Sequence, residues 1–97
     1  MPFQQYNYFP LTVNQSGWID VEKNCNGFTV TNVGNDNCQV NDQIFYAGVP
    51  GVSLGDSRSF GGNENEVYVG RIKVAFAGVG ALPQIEIIQK VFVNIGK

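Results

Sequence analysis

From residue 84 to residue 94 the chain alternates as an extended strand does. Ile85, Ile87, Val91 and Val93 hold odd positions, and Gln84, Glu86, Lys90 and Asn94 hold even ones, with Ile88 and Phe92 interrupting the polar side. Successive side chains leave opposite faces of a pleat, so an apolar period of two marks a half-buried strand and conflicts with the 3.6-residue period of a helix. Upstream, twelve glycines and eleven asparagines separate short apolar runs. Turn signals recur roughly every ten residues, and nothing reads as a helix. The expected class is all-β: a single antiparallel β-sandwich or compact jelly roll of about seven to eight strands.

The stretches 11–13, 18–22, 28–32, 39–45, 57–60, 66–76 and 84–95 read as strands. A turn at 23–27 closes a hairpin that sets Val21 against Phe28 and Ile19 against Val30. A second turn at 34–37 leads into 39–45, and the glycine-containing stretch 46–55 reads as a crossing from one sheet to another. Within 66–76 the apolar positions switch from Val67 and Val69 to Ile72, Val74 and Phe76. A β-bulge at Gly70-Arg71 accounts for that change of phase. The segment 77–82 then returns the chain, letting Val74 and Phe76 meet Ile87 and Ile85.

The whole length, 1–97, reads as one β domain with an extended aromatic arm over about 1–10. The arm carries Phe3, Tyr6, Tyr8 and Phe9 among amides, and Pro10 restricts it to an edge or an excursion from the sheet. Its rings are of the type enriched in interfaces. Phe3, Tyr6, Tyr8 and Phe9, together with Ile88 and Phe92 on the interrupted face of the last strand, are the expected subunit contacts. Trp18 is expected to fill the core.

Composition argues against several functions. Charged residues are 14% of the chain and the net charge is −2. The six basic residues, Lys23, Arg58, Arg71, Lys73, Lys90 and Lys97, form no stripe, which argues against direct nucleic-acid binding. No segment has the composition of a membrane span or of a secretory signal. Histidine is absent, which removes the commonest general base and every His-based triad. Glu64 and Glu66 could form a carboxylate pair, and 63–66 or 35–37 could offer oxygens to calcium, but solvated turns explain both better. Two cysteines without histidine close no zinc site. With Cys38 opposite Thr31 or Asn32 in the second hairpin, Cys25 lies beyond disulfide reach, so free thiols are favoured. The chain reads as a non-enzyme with no cofactor and no metal.

The runs 28–34, 38–42, 54–60 and 61–66 combine a strand, a polar turn, a second strand, Gly55-Asp56-Ser57 and a Gly61-Gly62-Asn63 turn before two long strands. That succession resembles small β-sandwich and jelly-roll virion structural proteins of bacteriophages, over roughly residues 28–93 and through turn chemistry alone. The resemblance implies a virion structural protein of minor-capsid or vertex (penton) type. It would be made in the host cytoplasm without a signal peptide, with no catalytic residues to transfer. Such a subunit acts by self-association, as a pentamer or else a trimer, and by contact with a major shell protein, the arm tying subunits together by strand addition. The alternative is a receptor- or carbohydrate-binding module of a phage spike or tail fibre.

Overall fold

The alternating tail becomes strand β8 (Ile85–Phe92), with Ile85, Ile87, Gln89 and Val91 buried and Glu86 and Ile88 exposed. Gln89 stands where the period calls for an apolar residue. Its Oε1 accepts the Glu22 N–H at 2.7 Å, so the buried amide oxygen is satisfied. The computed structural model describes residues 6–49, 52–62 and 66–93. Preceding β8 are β1 (Tyr6–Val13), β2 (Gly17–Asp20), β3 (Cys25–Asn32), β4 (Cys38–Val40), β5 (Gln43–Phe45), β6 (Ser57–Gly61) and β7 (Arg71–Phe76). There is no helix among the described residues.

The strands form two four-stranded antiparallel sheets, a first in the order β1-β8-β3-β6 and a second in the order β2-β7-β4-β5. One core lies between them. The first sheet contributes Phe28, Val30, Ile85 and Ile87, and the second contributes Cys38, Val40, Phe45, Ile72 and Val74. Burying each of these apolar side chains stabilises the fold by about 1.5–3 kcal/mol, less for the thiol.

The strands stand close to where alternation puts them, whereas most pairings differ from the hairpin expectation. β2 joins β7 in the second sheet, with Trp18 opposite Lys73, while β3 lies in the first sheet between β8 and β6. Val21 therefore does not face Phe28 in a hairpin; residues 21–24 carry the chain from one sheet to the other. The 33–37 turn is likewise a crossing, from β3 to β4. β7 and β8 also belong to different sheets, so Val74 shares the core with Ile85 and Ile87 from the opposite layer and not along a ladder. The one tight hairpin among the described residues is β4–β5, where Val40 faces Gln43 and Asn41 and Asp42 both have positive φ, 49° and 69°. Two left-handed residues in a two-residue loop match strand twist, and Asn and Asp tolerate them best. That turn splits the expected 39–45 strand in two.

No bulge sits at Gly70-Arg71. β7 begins at Arg71, and 66–69 run as loop, with Tyr68 N–H bonded to the Cys25 carbonyl at 2.6 Å. The phase changes because Val67 and Val69 are outside the strand, both exposed. The irregularity lies in β3 instead, between Cys25 and Gly27 against β8. Gly27 is fixed by close approach: a Cβ there would stand 2.4 Å from the Phe60 carbonyl oxygen.

Residues 6–10, the described part of the arm, are paired along β8 as the first half of β1, with Pro10 opposite Ile88. β1 is an edge strand, the position a sheet tolerates for a residue lacking N–H. Trp18 does not fill the core. Its neighbour Ile19 points inward and Trp18 is 57% exposed, because one strand cannot bury consecutive residues on one side. Phe3 and Glu64 lie outside the described residues, as do 94 and 95 of the expected last strand.

Candidate interaction surface

Registers across the first sheet assemble its outer face in rows. Tyr8, Lys90, Gly27 and Gly61 form one row; Pro10, Ile88, Thr29 and Ser59 form the next; Thr12, Glu86, Thr31 and Ser57 form a third. Opposed residues of an antiparallel pair share a face, so the alternation that buries Ile85 and Ile87 aims these residues outward. At the head of the array Tyr6 lies opposite Phe92 with ring centroids 5.2 Å apart, and the Lys90 ammonium sits 4.0 Å from the Tyr6 ring centre. The hydroxyls of Thr29 and Ser59, and of Thr31 and Ser57, hydrogen-bond in pairs at 2.9 Å.

Four of the expected contact residues thus come together on one face: Tyr6, Tyr8, Ile88 and Phe92. Tyr8 is 61% and Ile88 39% exposed, while Tyr6 and Phe92 are half-buried against each other. Phe9 is on the other side of β1, opposite Gln89, and remains 41% exposed where the second sheet does not cover it. The two facing glycines leave this surface without side chains for two strands, giving a depression of ≈ 330 Å³ beside Tyr8, Lys90 and Ser59.

The outer face of the second sheet carries Trp18, expected in the core, beside residues that the sequence reading gave no role as contacts. Arg71 and Lys73 lie 5.3 and 5.7 Å from the Trp18 ring centre, and Arg71 Nε donates to Asp20 Oδ1 at 2.9 Å. Further along, Gln39 lies between Ile44 and Ala75 in register. A depression of ≈ 390 Å³ opens there, beneath exposed Tyr46. The signal in the sequence was Trp18 next to Ile19, an adjacent apolar pair of which a strand can bury only one.

One end of the two sheets gathers residues 14–16, 33–37, 46–49, 52–56 and 77–84, and Asn35-Asp36-Asn37 ties its own turn to the stretches at 46–49 and 77–84. Asn35 Oδ1 accepts Leu82 N–H at 2.7 Å, and Asn37 Oδ1 accepts Ala47 N–H at 2.9 Å. The buried Asp36 carboxylate accepts the N–H groups of Gly78, Val79 and Gly80 at 2.8, 3.2 and 3.1 Å. Those amides, Gly78 foremost, hold its pKa below the usual carboxylate value despite burial. Buried Asn32 completes the joint, donating to the carbonyls of Asp36 and Phe45 and accepting Gly34 N–H. The oxygens considered for calcium at 35–37 are therefore committed to backbone amides.

Cys25 and Cys38 are free and buried, in different sheets. Burial pushes the Cys38 thiol up to about 11 and raises Cys25 as well, so both stay protonated and unreactive at neutral pH. Among the described residues no three His, Cys, Asp or Glu side chains converge as metal ligands, and no helix is long and apolar enough to cross a membrane. No family model, curated protein or solved structure matches the chain.

Proposed function

We propose that the two sheets form a jelly roll and that the chain is a virion structural subunit of minor-capsid or vertex type, acting by self-association and contact with a major shell protein. One observation carries the reading. β1 pairs with β8, β2 with β7, β3 with β6 and β4 with β5. Those are the pairs of one long antiparallel ribbon, and rolling it up brings β8 beside β3 and β7 beside β4, as in the two observed sheet orders. Double-sheet rolls of eight strands are an architecture of viral shells, and also of lectin domains.

The same geometry refines how subunits would meet. Of the four edges, Pro10 leaves that of β1 without a donor at its middle, β2 and β5 have only 4 and 3 residues, and β6 has 5. Blunted edges disfavour strand addition and favour contact through a face. The face with Tyr6, Tyr8, Ile88 and Phe92 is the one that offers apolar area beside paired hydroxyls. Native mass spectrometry of the full chain tests this. A pentamer that Ile88→Glu reduces to a folded monomer is expected; a wild-type monomer at micromolar concentration would remove the reading.

A second reading, a receptor- or carbohydrate-binding module of a spike or tail fibre, draws support from the solvent-facing rings of Tyr8, Trp18 and Tyr46. A trimer in the same measurement favours it.

A further inference from the structure

On the second sheet, alternation turns Gln39, Ile44 and Ala75 outward in one row across β4, β5 and β7. Ala75 is too small to fill its place, and Ala77 follows it on the same strand line. The result is the ≈ 390 Å³ depression with an alanine floor, Ile44 along one side and Tyr46 at the rim. Ile44 is 44% and Tyr46 57% exposed. Its size lies at the lower end of the roughly 300–1,000 Å³ range of small-molecule sites.

The chemistry of the lining selects the occupant. Its residues include no Asp, Glu, Lys or Arg, and burial keeps the Cys38 thiol protonated, so nothing there pairs with a charged ligand. The Gln39 amide and the Tyr46 phenol make no hydrogen bond among the described residues, and the Asn37 side chain uses its oxygen on Ala47 and keeps its NH₂ group. An aromatic face beside two amides matches a ligand with one C–H face and a rim of hydroxyls, which take donors and acceptors alike.

We propose that this depression binds a neutral pyranose unit of a glycan, with Tyr46 against the sugar's apolar face and Gln39 and Asn37 on its hydroxyls. The proposal rests on the binding-module reading. It leaves the outer face of the first sheet free for self-association, so a vertex subunit could do both.

The test is titration of the isotopically labelled full chain with glucose, galactose, N-acetylglucosamine and glucuronic acid, followed by amide chemical shifts. At least one neutral sugar is expected to give saturable shifts at Gln39, Ile44, Tyr46 and Ala77. Tyr46→Ala should weaken that binding about tenfold, the scale of one stacking contact, without lowering the melting temperature. Ala75→Leu, which fills the floor, should weaken it at least as much, while Trp18→Ala should not change it. Shifts centred on Trp18 or Tyr8 would overturn this site and keep the binding-module reading. Stronger binding of glucuronic acid would overturn the neutral class. No saturable shift with any of the four sugars would overturn both the site and the carbohydrate version of the module.

Discussion

The two ends of the molecule are held by opposite chemistry. At the end where β3 crosses to β4, a buried carboxylate and two amides tie three loops through their backbone N–H groups. At the other end the 66–70 segment is held mainly by a ring, beside hydrogen bonds from Tyr68 N–H to the Cys25 carbonyl and from Asn26 Nδ2 to the Glu66 carbonyl. Tyr68 packs edge-on against Phe28 at 5.0 Å, and Phe28 stacks on Phe60 at 4.9 Å. The first joint depends on a charge kept ionised by its donors, and the second on dispersion and area removed from water. They should therefore fail under different conditions.

Asp36→Ala should cause the largest loss. It takes the acceptor from the part-buried N–H groups of Gly78, Val79 and Gly80, and a donor left unmet costs about 1–3 kcal/mol, against roughly 1 kcal/mol that a typical hydrogen bond contributes. The pH dependence has a definite sign. Asp36 has a lower pKa folded than unfolded, so its contribution is complete above the ordinary carboxylate value of about 4 and is lost as pH falls below it toward the folded pKa. Melting temperature followed from pH 7 downward should drop for the wild type and show a shallower acid limb for Asp36→Ala. Parallel curves would mean that Asp36 is not the acid-sensitive group.

At the aromatic end, Tyr68→Ala should cost about 2–3 kcal/mol, below the full-burial range because the ring is half-buried. Part of the loss is the Tyr68 hydroxyl's hydrogen bond with Asn41 Nδ2 at 3.1 Å. Urea unfolding at pH 7 and pH 4 should give the same difference from wild type, since no carboxylate takes part in these contacts. A difference that shrinks at the lower pH would show that the two ends are coupled.

These two joints were unequally legible in the sequence. Strand positions followed from alternation, and the last strand, 84–95 in the reading against Ile85–Phe92 in the structure, is the clearest case. Pairing did not follow, because a polar turn such as 33–37 closes a hairpin or spans two layers with the same residues. Asp36 accordingly read as a turn aspartate. Its partners lie more than forty residues away, and no local pattern marks them. Tyr6, Tyr8, Ile88 and Phe92 were singled out from composition and from a broken period. What brings them together is the pairing of the first strand with the last, a contact across the length of the chain. The depression under Tyr46 was not legible, since it arises from an alanine standing between two longer side chains on neighbouring strands.

Trp18 sharpens the contrast at its smallest scale. It has the largest side chain and two cations over it, together with the Arg71–Asp20 ion pair, yet all of these groups face water. Exposed cation–π contacts and surface ion pairs each contribute at most about 1 kcal/mol, and salt weakens them. Trp18→Ala removes two such cation–π contacts and should therefore lower stability by about 1–2 kcal/mol, and by less in 1 M salt. Urea unfolding at low and high salt measures both. A loss as large as that of Tyr68→Ala would mean that Trp18 covers the β2–β7 edge as part of the core. The smaller loss expected locates the holding energy where water is excluded, in the Asp36 joint and the Phe28–Tyr68 stack, and leaves the outer faces of both sheets free to take partners without weakening the fold.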